Sequence, residues 1–302
     1  MIGVIVLNFL FAVNLIFRKM ILVCTQPLFF QGLRLIGAGA ILLGYLYLRD
    51  QKKLRFAWHD IGLFFQVSLF FSYLSYVLSV ITLEDLSSAR FAFMFNLSPF
   101  ITAIISYFYL KQSLTRKEFL SLLIGFAGFL PLLMVGQQDG IESDGFLSLA
   151  GLQLFVSTVA YAYGWIVVSE LVKKRGYSPL LVTGIAFLSG GIAILFTSFV
   201  FENWFGEALI TDVFKFTTYL LIIIFISEVI ASNMYAALLK RYSATFLSFV
   251  GFLYPLFSAF LGWIFFGEKI SVNFFISAVI VGLALYIYQL SEKEKALHKE
   301  AQ

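Results

Sequence analysis

Three charged side chains stand inside apolar runs: Arg34 in LFFQGLRLIGAG, Arg90 in SSARFAFMF and Glu228 in FISEVIASN. On insertion scales a charge at the bilayer centre costs about 2.5–3.5 kcal/mol, so each needs a partner or a task. Glu228 shares a helical face with Ala231, Ser232 and Tyr235. Its carboxylate suits a substrate ammonium or a proton, which is the usual role of an intramembrane acid. An ion pair with Arg34 or Arg90 is the structural alternative. Arg34 has Gly37, Ala38 and Ile41 on its face. Its planar fork fits a carboxylate and equally fits carbonyls across a close helix contact. Arg90, near the outer end of its run, either snorkels or guards a cavity mouth for anionic groups.

Aromatic and amide side chains stand near these charges. Ser157, Tyr161 and Trp165 recur at i, i+4 and i+8, while Ser72, Tyr73 and Tyr76 cluster in another run. Ordinary membrane packing accounts for any one of them. Together around a carboxylate they suit a cationic or amphipathic ligand, because a cation over a ring face gains about 0.5–2 kcal/mol. Asn14, Asn96 and Asn233 are further candidates, since a buried amide needs partners.

The elements that must position these groups are membrane helices. The 302 residues are 61% hydrophobic and only 13% charged, against about 25% charged in soluble domains. A net charge of +4 does not point to nucleic acid, because the charges lie in short clusters between apolar runs, with no basic face. Cys24, His59 and His298 are the only cysteine and histidines. No disulfide framework, metal site or cofactor follows. The isolated histidines and the single buried acid also lack the paired groups of an integral-membrane enzyme, so no catalytic residue is expected. No basic n-region precedes Ile2, and residues 2–17 are expected to remain as a first membrane helix.

A core about 30 Å thick takes about 20 apolar helical residues. That ruler predicts ten spans: 2–17, 27–48, 61–82, 86–110, 116–136, 147–169, 178–201, 216–238, 243–266 and 271–290. With the N-terminus inside, inner loops and tail hold 15 basic residues, from Arg49, Lys52, Lys53 and Arg55 to Lys293, Lys295 and Lys299. Outer loops hold 4, namely Arg18, Lys19, Lys215 and Lys269. By the positive-inside rule both termini are cytoplasmic, as in a multi-pass protein of a bacterial inner membrane. Tyr45, Tyr47, Tyr107 and Tyr109 lie at span ends as an aromatic girdle. The tail SEKEKALHKEAQ reads as a short solvated helix or a frayed end.

A shift of 156 positions places SSARFAFMFNLSPFITAIISYFYL on SATFLSFVGFLYPLFSAFLGWIFF, so that Ser87, Phe93, Leu97, Pro99 and Ala103 fall on Ser243, Phe249, Leu253, Pro255 and Ala259. Five helices followed by five related ones enter the membrane with opposite orientation, the inverted repeat of secondary transporters. The repeats are 1–136 and 147–290, followed by the tail 291–302. Each mid-span proline frees a carbonyl, and gating by Pro99 and Pro255 stands beside a static kink.

At these residues the chain resembles the EamA-like, ten-helix branch of the drug/metabolite transporter superfamily. The resemblance covers nearly the whole length. It is carried best by SATFLSFVGFLYPLFSAFLGWIFFGEKISVNFFISAVIVGLALYI, with its mid-helix proline and the Gly267-Glu268 pair. In the first half Lys111-Gln112 stands where the family often has Gly-Glu again. The positions of Arg34 and Lys19 are similar to those of many relatives. The resemblance implies a 5+5 inverted-repeat bundle, alternating access, and a central cavity lined by helices 1, 3, 4, 6, 8 and 9.

One acid and two arginines suit a zwitterion. The expected substrate is a small zwitterionic or amphipathic metabolite, best an amino acid or its derivative. S-adenosylmethionine-like compounds are included, their sulfonium and adenine using the aromatics. The alternative is export of cationic drugs or metabolites coupled to protons. Expected partners are the small molecule, the lipid bilayer and a coupling proton, with no nucleic acid. Candidate binding residues are Glu228, Arg34, Arg90, Tyr161, Trp165, Tyr73, Tyr76, Ser232, Tyr235, Asn14 and Asn96.

Overall fold

A computed structural model describes residues 2–82, 94–135, 148–205, 209–266 and 272–300. Ser87, Arg90, Phe93, Gly267, Glu268 and Lys269 lie outside the described residues, as does the loop QQDGIESDG. The described chain is helical, and its runs follow the apolar segments. They are α1 (Ile2–Leu22), α2 (Pro27–Arg49), α3 (Trp58–Ile81), α4 (Ser98–Leu110), α5 (Arg116–Val135), α6 (Leu149–Lys174), α7 (Pro179–Phe201), α8 (Val213–Leu238), α9 (Ala244–Phe265) and α10 (Val272–Glu300). Among the described residues eight runs are long and apolar enough to cross a membrane, α4 being shorter and α5 standing beside them. This is a multi-pass integral membrane protein.

Small residues set the tightest contacts. α2 and α7 pack along much of their length. A Cβ added to Gly39 would stand 2.6 Å from the Leu188 backbone nitrogen, and one on Gly191 2.7 Å from that of Ile36. Polar groups tie the helix ends. Glu202, just past α7, accepts from the N–H groups of Leu28 (2.6 Å) and Phe29 (2.8 Å). A carboxylate there satisfies orphan donors and complements the positive end of α2. At the other ends of these helices the Tyr177 hydroxyl donates to Asp60 at 2.7 Å and accepts from the Ala57 N–H at 3.0 Å.

Several boundaries differ from the sequence expectation. α1 does not stop at residue 17 but continues to Leu22, carrying Arg18 inside the helix instead of in a loop. The apolar Met20, Ile21 and Leu22 extend the helical pattern past the two cations. α10 likewise continues to Glu300. The start of the tail is neither frayed nor wholly solvated: Ser291 meets Thr115 at 2.8 Å, and Lys117 meets Glu294 at 2.8 Å. Lys295 closes the buried Glu118 carboxylate.

The two mid-span prolines do not kink continuous helices. The chain turns at 96–97, and α4 begins afresh at Ser98 with Pro99 in its first turn. α9 turns at Gly251 and Phe252, and its second segment begins at Leu253, with Pro255 in the first turn. A proline there forfeits little, because first-turn N–H groups have no intrahelical partner. Tight i→i+3 bonds bridge both interruptions: Leu97 N–H to Met94 O at 3.1 Å, and Gly251 N–H to Ser248 O at 3.0 Å. The interrupted helices meet near these breaks, where Ser98 Oγ lies 3.1 Å from Ser248 Oγ and Thr102 donates to the same oxygen at 3.3 Å.

Candidate functional site

α3 and α8 each widen into a π-helical stretch, Val67–Leu74 and Ile224–Ser232. Under the 156-residue shift these stretches overlap, and Glu228 falls on Ser72. π-helical turns displace side chains from the regular ladder and recur at functional sites. In α8 the loosened carbonyls of Glu228 and Val229 are both capped by Asn233 Nδ2 at 3.1 Å. Thr183 of α7 donates to Asn233 Oδ1 at 2.7 Å. Asn233 therefore braces the backbone that presents Glu228.

Glu228 is fully buried, and Arg34 Nη2 lies 3.2 Å from its Oε1. The small Gly37, one turn along α2, admits Ile224, whose Cδ1 would stand 2.9 Å from an added Cβ. Ser227 donates to Oε1 at 3.2 Å and Ser232 to Oε2 at 3.3 Å. The structural alternative for Glu228, a pair with Arg34, is thus formed in this conformation. The guanidinium lies over the rings of Tyr76 (5.1 Å) and Phe30 (5.4 Å). Its Nε and Nη1 are buried and have no hydrogen-bond partner. Gln31, on the adjoining turn, also keeps both amide atoms unpaired.

An aromatic wall continues from the pair. Trp165 lies over Tyr235 with ring centroids 4.0 Å apart, Tyr161 meets Trp165 edge-on at 6.2 Å, and Phe71 joins Trp165 to Tyr76. Gly164 lets Phe71 approach, since a Cβ there would stand 2.5 Å from the Phe71 Cβ. The structure therefore gathers Glu228, Arg34, Ser232, Tyr76, Tyr161, Trp165 and Tyr235. Asn14 lies on α1 with its Oδ1 buried and unpaired. Asn96 is buried in the turn before α4. Tyr73 is directed elsewhere, its hydroxyl 3.0 Å from Thr197 Oγ1 of α7. Arg90 and the Lys19 side chain lie outside the description.

Sequence reasoning missed one charge. Arg18, one turn beyond Asn14 on the same face of α1, is half-buried. Tyr254 packs on α1 beside Ala12 and Ile16. The signal was available: sixteen residues are too few to span a core about 30 Å thick, so the first helix had to run past Arg18. Among the described residues no group of three His, Cys, Asp or Glu side chains is placed to hold a metal ion.

Comparison with known proteins fits this architecture. The model of the EamA-like transporter family matches residues 1–134 and 148–289. An S-adenosylmethionine/S-adenosylhomocysteine transporter of Chlamydia trachomatis is 29% identical over 93% of this chain and 86% of its own. A chloroplastic WAT1-related protein of Arabidopsis thaliana is 25% identical over 94% of this chain and 68% of its own. Protein PecM of Dickeya dadantii is 23% identical over 91% and 89%. One crystal structure superposes with a TM-score of 0.71 at 16% identity, covering 97% of this chain and 96% of that one, and so shares the fold.

Proposed function

We propose, on the premise that this chain belongs to the EamA-like transporter family, that it moves an S-adenosylmethionine-like metabolite by alternating access. The observation that carries this reading is the buried Arg34–Glu228 pair with unused guanidinium N–H groups beside an aromatic wall. The amino-acid end of such a cargo, a carboxylate and an ammonium, can exchange with the pair without leaving net charge behind, and the sulfonium adds one cation for the aromatic rings to hold. Its carboxylate takes Arg34, and its ammonium or sulfonium takes Glu228. Tyr76, Tyr161, Trp165 and Tyr235 would hold the adenine and the sulfonium. Ser232 and Asn14 complete the polar lining. The relatives named for S-adenosylmethionine and S-adenosylhomocysteine support this substrate class.

A purely cationic cargo fits less well, because it would displace Arg34 from Glu228 and strand the guanidinium in the bundle. The same reading places ten helices in two inverted repeats, with both termini cytoplasmic in an inner membrane. The broken helices α4 and α9, which touch near Ser98 and Ser248, would then supply the moving elements and Pro99 and Pro255 their fixed pivots.

A thermal-shift series on the purified protein tests the substrate class, since a ligand at 100 times its Kd stabilises by about 2.7 kcal/mol. S-adenosylmethionine and S-adenosylhomocysteine are expected to raise the melting temperature, while polyamines and sugar phosphates leave it unchanged. Stabilisation by polyamines or cationic drugs alone overturns the reading.

A further inference from the structure

We infer that Asn233, clamped by Thr183 of α7, is the positioning residue of this site: it holds the π-helical turn in which the Glu228 carboxylate meets Arg34. The inference rests on the Arg34–Glu228 pair being the substrate site and adds to it the two residues that fix where the carboxylate points.

Asn233 follows Glu228 by five residues, the spacing of one π turn. Its amide is divided between two tasks. Nδ2 donates to the carbonyls of Glu228 and Val229, each at 3.1 Å, which uses both of its protons. Oδ1 accepts from Thr183 Oγ1 at 2.7 Å. α8 is thereby pinned to α7 at the turn that carries the acid. Asn233, Thr183 and Glu228 are all buried, where a bond left unmade is costly. An α-helix advances about 100° per residue, so relaxing the extra residue of a π turn would rotate one flank of α8 against the other by about that angle. The Glu228 carboxylate would then leave Arg34 Nη2, which now lies 3.2 Å away. The clamp is also built to release. The Thr183 hydroxyl stands 2.9 Å from the Pro179 carbonyl of its own helix, and it has a single proton to give. Once Asn233 is let go, that proton closes a bond within α7, and the buried hydroxyl is not stranded. Neither residue carries a charge to offer the cargo; both act through Glu228.

The test measures whether the clamp sets the pair. Arg34→Met should lower the melting temperature of the purified protein. In a Thr183→Val or Asn233→Leu background it should lower it by at most about half as many degrees, because the pair is already misaligned. In a Thr183→Ser background, which keeps the hydroxyl, the full loss should return. A general loss of packing would lower the starting temperature and leave the Arg34→Met loss undiminished, and that result overturns the assignment. If Asn233→Leu does not fold, Thr183→Val decides alone. In binding of S-adenosylmethionine to the purified protein, Thr183→Val should weaken affinity about 3- to 10-fold, the scale of one buried hydrogen bond, and Thr183→Ser should restore it. Unchanged affinity overturns the assignment as well. If wild-type protein does not bind S-adenosylmethionine while the Arg34→Met loss still depends on Thr183, the clamp stands and the substrate reading falls.

Discussion

At the scale of residues the decisive feature is a buried carboxylate, held by Arg34 and two serine hydroxyls, beside a buried guanidinium that is only partly satisfied. Removing one partner of such a pair leaves an unbalanced charge, typically about 3–5 kcal/mol, whereas replacing both by apolar groups of similar size is often neutral. Arg34→Met is therefore expected to lower stability by that amount, and Arg34→Met with Glu228→Met to restore it, as read by thermal unfolding in detergent. Neither protein should transport. Glu228→Gln, which keeps the shape and an acceptor for one of the two serine hydroxyls, should fold and insert yet lose or uncouple uptake. Wild-type uptake by that variant with unchanged pH dependence sinks the site assignment. Glu228 and Arg34 were visible in the sequence as charges with nothing local to excuse them. That they meet was not, because the pairing joins helices nearly two hundred residues apart in the chain.

At the scale of elements, the helices follow hydrophobic length, and their interruptions follow backbone chemistry. The π-helical stretches of α3 and α8 left no mark in the sequence: VSLFFSYL and IFISEVIAS read as ordinary apolar helix. Their only hint was Asn233, whose amide later proves to cap two loosened carbonyls. Proline was legible but its effect was not, since a kink and a fresh helix start look alike in sequence. Lys111 occupies a position that favours glycine. It ends α4 with φ of 57°, in the left-handed region, where a side chain costs about 1–2 kcal/mol and glycine nearly nothing. Lys111→Gly should stabilise the protein by about 0.5–1 kcal/mol, after the extra chain entropy of glycine is subtracted. A lower melting temperature would show that the Lys111 side chain makes a contact worth more than that strain.

At the scale of the whole molecule, charge distribution proposes the sidedness. Fusion of a fluorescent reporter that folds only in the cytoplasm should give signal at both ends, and a periplasm-dependent phosphatase should give none at either. Opposite behaviour of the two ends would remove the ten-span, both-inside topology. The docking of Glu294 and Lys295 on α5 shows the C-terminal segment as part of the bundle's end.

Composition and loop charges determined by themselves that this chain lives in a bilayer, roughly where its helices run, and that Arg34 and Glu228 are exceptional. These are one-dimensional properties: hydrophobic length must match a membrane thickness, and a charge in an apolar run is costly wherever the run is placed. Only the tertiary structure decided that Arg34 answers Glu228 and that Tyr73 turns to α7. Those outcomes depend on which small residues let helices approach and on how π-helical turns rotate a face. Both arise between segments far apart in the chain.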